Sequence, residues 1–211
     1  MTALLTSIDP LTDSNCYLIE EEGHVLIIDP NQREEIIKII KKHEWIVDYV
    51  LLTHEHCDHM QGLNELRKQY HFPVIAQKRC SENLQSKVKN MSGMMETYLY
   101  FKNGGKKFIP YESFTCKCAE ITFEENYEFY WRGHHFFLKS VPGHTAGSCG
   151  IFMDEINLFS GDYLLASKED PTIFPGGSKE AYETYAKPWI ESLKKGLHIY
   201  PGHGKDYKLE K

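Results

Sequence analysis

A chain of 211 residues is long enough for one substantial hydrophobic core, and a single α/β domain over residues 1–211 is the expected organisation. Hydrophobic residues make up 41% and charged residues 26%, a globular balance that excludes disorder, and no tract reaches the roughly 18 apolar residues of a membrane span. A net charge of −6 argues against broad attraction to nucleic-acid phosphates, so the expected partner is a small-molecule substrate, with no nucleic acid and no membrane.

The opening residues, MTALLTSIDPLTDSN, carry neither a basic start nor an apolar stretch of signal-peptide length, which makes the cytoplasm the expected compartment. Two apolar runs follow, residues 16–19 and 25–28, split by a polar turn at Gly23 that suits a β-hairpin. REEIIKIIKKHEW then places Ile36, Ile37 and Ile40 on one helical face, with acids early and lysines late to match the helix dipole. VDYVLLT reads as a buried strand, and residues 58–70 as a helix with Leu63, Leu66 and Tyr70 at helical spacing. After the strand PVIA, residues 77–122 carry weak helical signals and Gly/Pro punctuation, and read as a lid-like insertion. Strands return at YEFYW, HHFFLKSV, SCGIFM and INLFSGD. Ser178 then caps a helix that turns Tyr182, Tyr185, Trp189 and Leu193 inward, with Pro188 either kinking it or starting a second. GLHIYPGHG is a last strand that delivers His203 to a loop.

The stretch THEHCDH, residues 53–59, holds three histidines and an aspartate where an apolar strand ends and a helix begins, the end at which α/β sheets place their sites. Imidazoles and a carboxylate at that spacing can surround zinc-like cations, and the spacing divides them between two ions, His54 and His56 toward one, Asp58 and His59 toward the other. Further ligands are available at Gly-containing strand exits: His144 in SVPGHTAGS, Asp162 in LFSGD and His203 in IYPGHG. Without a metal, this much polar chemistry at the end of a buried strand would lack partners. His24, His43, His71, His134, His135 and His198 stand outside any such pattern and read as ordinary surface or core histidines.

In that order, THEHCDH, PGHTAGS, SGD and PGHG resemble the metal-binding motifs of the metallo-β-lactamase superfamily, and IIDP resembles its aspartate turn at Asp29. The resemblance runs from about residue 14 to 204 and leaves residues 77–122 unmatched. It implies an αβ/βα sandwich, two mixed sheets packed face to face with helices outside. It further implies that His54, His56 and His144 hold one metal and Asp58, His59 and His203 a second, with Asp162 bridging and Asp29 supporting the ligand loops. A bridging aspartate is the habit of hydroxyacylglutathione hydrolases (glyoxalase II), related thioesterases, lactonases, phosphodiesterases and persulfide dioxygenases, rather than of true β-lactamases. PGHTAGS and FPGGS look most like the glyoxalase II and persulfide dioxygenase branch. YLLASKEDPTIFPGGS lacks the arginine common in short glyoxalase-like members, and longer glyoxalase II enzymes bind glutathione with the help of a C-terminal helical domain beyond the last ligand, so the resemblance leaves glutathione specificity open.

The resemblance implies two divalent ions, zinc foremost with iron or manganese as alternatives. Two ions about 3.5–4 Å apart would share a water, lower its pKa toward about 7 and hold the resulting hydroxide beside a carbonyl. Asp58 would be the catalytic residue as well as a ligand, orienting that hydroxide. A thiolate with a solution pKa near about 8.5 leaves without a strong acid, which favours thioesters or related small esters. The alternatives are a mononuclear iron persulfide dioxygenase on His54, His144 and Asp162, a phosphodiesterase or lactonase of the same fold, and a non-catalytic member that uses the scaffold for binding.

Six cysteines (Cys16, Cys57, Cys80, Cys116, Cys118, Cys149) lack framework spacing and read as free thiols. Alternation turns Cys57 away from the metals, and the Cys116/Cys118 pair lacks the partners of a zinc site. Aromatics between Tyr98 and Phe114 are candidates to roof the site, and the lysines of KNGGKK either meet an anionic group on the substrate or are a solvated turn.

Overall fold

Strands that are apolar on both sides need cover on both faces, and the tertiary structure supplies it with four layers. The computed structural model describes residues 2–32, 34–165 and 172–210. Among these, one sheet runs in the order β1 (Ala3–Ile8), β2 (Asn15–Glu21), β3 (His24–Ile28), β4 (Ile46–Leu51), β5 (Val74–Gln77), β6 (Ile121–Phe123). The other runs β12 (Tyr207–Lys208), β11 (His198–Pro201), β10 (Asn157–Gly161), β9 (Cys149–Met153), β8 (His134–Ser140), β7 (Asn126–Trp131). Both are mixed. In the first, β1 to β3 are antiparallel and β3 to β6 parallel; in the second, β10 and β11 form the one parallel pair among the described residues. This is the αβ/βα sandwich that the motifs imply.

The period of two along each strand assigns its side chains to layers. Tyr17, Ile19, Leu26, Ile28, Leu51 and Ile75 turn inward and meet Phe136, Leu138, Ile151, Met153 and Phe159 of the second sheet. Their neighbours Cys16, Leu18, Val25, Ile27, Val50 and Leu52 turn outward, under Ile36, Ile37 and Ile40 of α1 (Glu35–His43) and Leu63 and Leu66 of α3 (Leu63–Gln69). Each such side chain contributes about 1.5–3 kcal/mol relative to exposure. The two layers, rather than the loops, therefore hold the frame on which the loops are hung. The β2–β3 hairpin closes on Glu22 and Gly23, both at positive φ (54° and 79°), the backbone that matches the twist of the flanking strands.

Three local readings change. The stretch 58–70 is two helices, α2 (Cys57–Met60) and α3, because Gly62 lies against another backbone: a Cβ there would sit 2.1 Å from the Gln32 carbonyl oxygen, and Gly62 N–H donates to Pro30 O at 2.8 Å. Downstream of α4 (Lys78–Asn83) and α5 (Met95–Lys102), the C-terminal helical segment is α6 (Lys179–Ala181), a π-helical turn (Tyr182–Ala186) and α7 (Lys187–Ser192), with Pro188 in the first turn of α7. Tyr182, Trp189 and Leu193 are buried as expected, but Tyr185 is 59% exposed and Ala186 takes its place. In a π-turn more residues fill each turn, so the residue at i+3 falls short of the buried face and the one at i+4 reaches it. The edge strand β1 and the short β6 and β12 carry too little periodicity to be read from sequence.

Residues 77–122 contribute α4, α5 and β6, which extends the first sheet beside β5. Cys57 packs with Met91, Met95 and Leu99, and its N–H donates to Asn90 O at 2.8 Å, so this segment is fastened to the THEHCDH stretch. Among the described residues no helix is long and apolar enough to cross a membrane.

Candidate metal centre

Each strand that leads to a candidate ligand ends at the same edge of the sandwich. His54 and His56 follow β4, Asp58 and His59 lie on α2, His144 follows β8, Asp162 follows β10 and His203 follows β11. Ligand atoms of His54, His56, His144 and Asp162 all lie within 4.8 Å of one another, and so do those of Asp58, His59 and His203. Asp162 stands between the groups. Its Oδ2 is 3.3 Å from His144 Nε2 and 4.0 Å from His54 Nε2, while its Oδ1 is 3.3 Å from His59 Nε2 and 3.5 Å from His203 Nε2. His203 Nε2 is also 3.5 Å from Asp58 Oδ2.

The imidazole orientations are set from behind. Thr53 Oγ1 donates its one proton to Asp29 Oδ2 at 2.5 Å, so toward His54 Nδ1, 3.1 Å away, it can only accept. Asp29 Oδ2 also accepts from His59 Nδ1 at 3.1 Å, and the Thr172 carbonyl accepts from His144 Nδ1 at 2.8 Å. All three rings thus keep their proton on Nδ1 and present Nε2 to the centre, the orientation that such buttressing gives to metal-binding histidines. Asp29, at φ 53°, spends its oxygens on Thr53 and His59, which makes it a support although it also lies near His54 and His59.

His54 Nε2, His59 Nε2 and Asp162 Oδ1 gather in this space, buried and without hydrogen-bond partners, and His56 turns Nδ1 toward it, 3.1 Å from His144 Nε2. Buried polar atoms are normally satisfied, so this convergence of ligand atoms is what a divalent cation would satisfy. The donor set of imidazole and carboxylate suits divalent cations. Burial, reinforced by the neighbouring rings, holds His54 and His56 well below the ordinary imidazole range, and so neutral. Burial would lower His59 too, but Asp58 and Asp162 outweigh it and raise it well above that range. Burial would raise Asp162; the neighbouring imidazoles of His203, His59 and His144 hold it well below the usual carboxylate range instead.

The loops are joined at close quarters. A Cβ on Gly202 would lie 2.3 Å from Asp162 Oδ1, so the chain carrying His203 runs directly beneath the shared carboxylate. Asn15 Nδ2 and Tyr17 Oη donate to Pro201 O at 2.9 and 2.6 Å, and Asn15 Nδ2 also reaches Gly204 O at 2.8 Å, pinning the same loop from β2. The His144 N–H donates to Tyr163 Oη at 2.9 Å, which in turn donates to Val141 O at 2.8 Å.

Some contributors escape the sequence pattern. Glu55, fully buried between His54 and His56, accepts from Asn83 Nδ2 at 2.7 Å and from Thr145 Oγ1 at 2.8 Å, tying the first ligand loop to α4 and to the residue after His144. Its carboxyl is raised by burial and held back by those two bonds. Phe174 stands 5.8 Å from the His56 ring and 6.2 Å from that of His144, between ring centroids. Of the aromatics at residues 98–114, Tyr98 lines the space in front of the cluster. Phe101 and Phe108 are exposed, and Tyr111 donates to Gln61 at 3.1 Å. His24, His134, His135 and His198 pair with Asp48, Asp154, Glu128 and Asp206, away from the centre. Cys118 meets Gln85 Nε2 at 2.9 Å rather than a ligand group. A cavity of 470 Å³ on the outer face of the second sheet, walled by Phe137, Phe152 and Trp189, holds none of the clustered side chains.

The model of a family described as the metallo-beta-lactamase superfamily matches residues 9–203. A hydroxyacylglutathione hydrolase of Salmonella arizonae is 27% identical over 192 residues, covering 90% of this chain and 59% of the relative; the chain thus spans about three fifths of that enzyme's length. Among solved structures, the B3 metallo-beta-lactamase BLEG-1 superposes with a TM-score of 0.80 at 23% identity, covering 99% of this chain and 94% of the other. TTHA1623 in a di-iron-bound form superposes at 0.70, also at 23% identity and with the same coverage. At these identities the two structures speak for the fold.

Proposed function

The chain belongs to the metallo-beta-lactamase superfamily, and we propose that it is a hydrolase of thioesters or related small esters that works with two divalent metal ions. One ion would be held by His54, His56 and His144, the other by Asp58, His59 and His203, with Asp162 shared. The observation that carries this reading is the division of Asp162, Oδ2 toward His144 and His54 and Oδ1 toward His59 and His203. The relative named hydroxyacylglutathione hydrolase and the di-iron structure support the class of reaction and the number of ions. Zinc is the first choice of metal for this donor set, and iron or manganese the next.

When bound, the ions supply an acidified water as nucleophile and a Lewis acid for the substrate's carbonyl oxygen. The protein does the rest. Asp58, with Oδ2 3.5 Å from His203 Nε2 and 3.8 Å from His59 Nε2, sits where one carboxylate oxygen can ligate while the other orients the attacking water. Asp29, Thr53 and Thr172 fix the imidazole faces, so little reorganisation is left for the reaction. Tyr98, Met91, Met95 and Phe174 crowd the approach to Asp58 and Asp162 and keep bulk water away from the reacting carbonyl. A thiolate leaving group needs no further acid, which suits a site whose carboxylates are committed to ligation. Residues 77–122 belong, on this reading, to the same catalytic unit as its substrate wall, working in the cytoplasm.

Metal content per chain, measured by elemental analysis of protein purified without added metal, tests the reading together with turnover of a thioester panel. About two ions and thioester cleavage are expected. One iron per chain with oxygen uptake on a persulfide would replace this reading with the mononuclear dioxygenase, for which His54, His144 and Asp162 are equally in place.

A further inference from the structure

The cavity in front of the cluster continues outward as a pocket of 330 Å³. His144, Asp162 and His203 lie on it, Tyr98 and Phe174 wall it, and Lys102 and Asp13 stand at its mouth. Tyr98 and Lys102 are four residues apart on α5, so both side chains leave the same helical face. Among the described residues Lys102 is the one lysine or arginine on this pocket. Resting on the hydrolase reading, we propose that Lys102 determines specificity: the site takes a small thioester that carries an anionic group, a carboxylate, a few atoms from the scissile carbonyl, and Lys102 binds that group.

The local chemistry is arranged for this. The Lys102 ammonium donates to Thr12 O at 2.8 Å and to Asp13 Oδ2 at 2.9 Å, which holds its stem across the mouth of the pocket. An ammonium has three donors, so one remains for a ligand. The Asp13 side chain is 70% exposed, and an ion pair with so wet a partner is weak and readily exchanged for a carboxylate arriving from the pocket. A compact point charge with one free donor suits a single carboxylate oxygen, where an arginine would favour a two-pronged contact. A volume of 330 Å³ lies at the small end of ligand sites, which favours a short substrate with Tyr98 and Phe174 against its apolar part. Lys106 and Lys107, exposed like Lys102, do not line this pocket, so the KNGGKK stretch is divided between a ligand-facing lysine and a solvated turn.

The test uses metal-loaded protein and matched thioesters in which a carboxylate, on either the thiol or the acyl side, is replaced by its amide. One pair is S-acetyl-3-mercaptopropionate and S-acetyl-3-mercaptopropionamide; the other carries S-glutaryl and its monoamide on the propionamide thiol. The ratio of kcat/KM, carboxylate over amide, is expected to fall about tenfold in Lys102→Met on the side that Lys102 reads, as for loss of a charged hydrogen bond. It is expected to rise in Asp13→Asn, which removes the competing carboxylate; asparagine tolerates the positive φ of 63° at that position. Opposite shifts in two variants separate recognition from damage to the fold. Calorimetry with thioether ketone analogues of the same compounds reads binding without turnover. If no thioester is cleaved but the analogues keep a carboxylate preference that depends on Lys102, the inference stands and the hydrolase reading falls. If thioesters are cleaved and bound with one ratio in all three proteins, the hydrolase reading stands and this inference is overturned.

Discussion

Gly202→Ala adds one methyl group at the most crowded point of the centre. Gly202 does not occupy the left-handed region, so alanine brings no backbone strain and the effect is steric. Its Cβ would stand 2.3 Å from Asp162 Oδ1, 2.8 Å from His59 Cε1 and 3.0 Å from the Gly161 carbonyl carbon. Cβ atoms do not approach other atoms closer than 3.0 Å, so Asp162 or the His203 loop must yield by at least about 0.7 Å. The loop is pinned by Asn15 and Tyr17, which leaves the carboxylate as the part that moves. Overpacking of this kind costs about 1–3 kcal/mol. For a domain of this size that is about 2–12 °C in Tm, with the fold retained. Misplacement of a reacting or ligating group by about an ångström costs on the order of a hundredfold in rate. The expected result is a folded protein by circular dichroism that retains fewer metal ions per chain and turns over thioester about a hundredfold more slowly. Wild-type metal stoichiometry and turnover in this variant would refute the position assigned to Asp162 as the shared ligand.

Metal loading at neutral pH is expected to release about one proton per chain, because Asp58 and Asp162 keep His59 protonated in the metal-free protein and that proton must leave. Apparent affinity then weakens as pH falls, while the depressed His54 and His56 add nothing; calorimetry in buffers of different ionisation enthalpy, showing no proton exchanged, would contradict this. Glu55→Ala leaves the buried Asn83 amide without its acceptor while Thr145 Oγ1 keeps Ser148 Oγ at 2.9 Å; at about 1–3 kcal/mol for the donor left unpaired, it should lower both Tm and metal retention. An unchanged melting curve would remove Glu55 from the support of the site. Trp189→Ala is expected to cost about 3–5 kcal/mol and Tyr185→Ala less than about 0.5 kcal/mol, a contrast that denaturant titration measures and that equal costs would overturn.

Much of the centre was legible because ligand chemistry is local. THEHCDH places four donors within six residues, and a buried strand that ends in such polarity has few alternatives to a bound cation. PGHTAGS, SGD and PGHG each put one donor at a strand exit. The αβ/βα arrangement followed from the resemblance those motifs carry, while the strand runs themselves were readable because Val25 to Ile28 and Tyr49 to Leu52 are apolar on both faces. What the sequence left open depends on contacts between segments far apart in the chain. The break at Gly62 comes from the Gln32 carbonyl, thirty residues away, and the rotation of Tyr185 out of the core comes from a π-turn that helical periodicity does not contain. Glu55 carries no signal of its own in the sequence; its place in the support of the site comes from Asn83 and Thr145, which close on it. Periodicity and motif spacing encode what a residue does beside its neighbours. Which carboxylate oxygen faces which imidazole, and which lysine faces the pocket, is decided only when separate loops are packed at one edge of the sandwich.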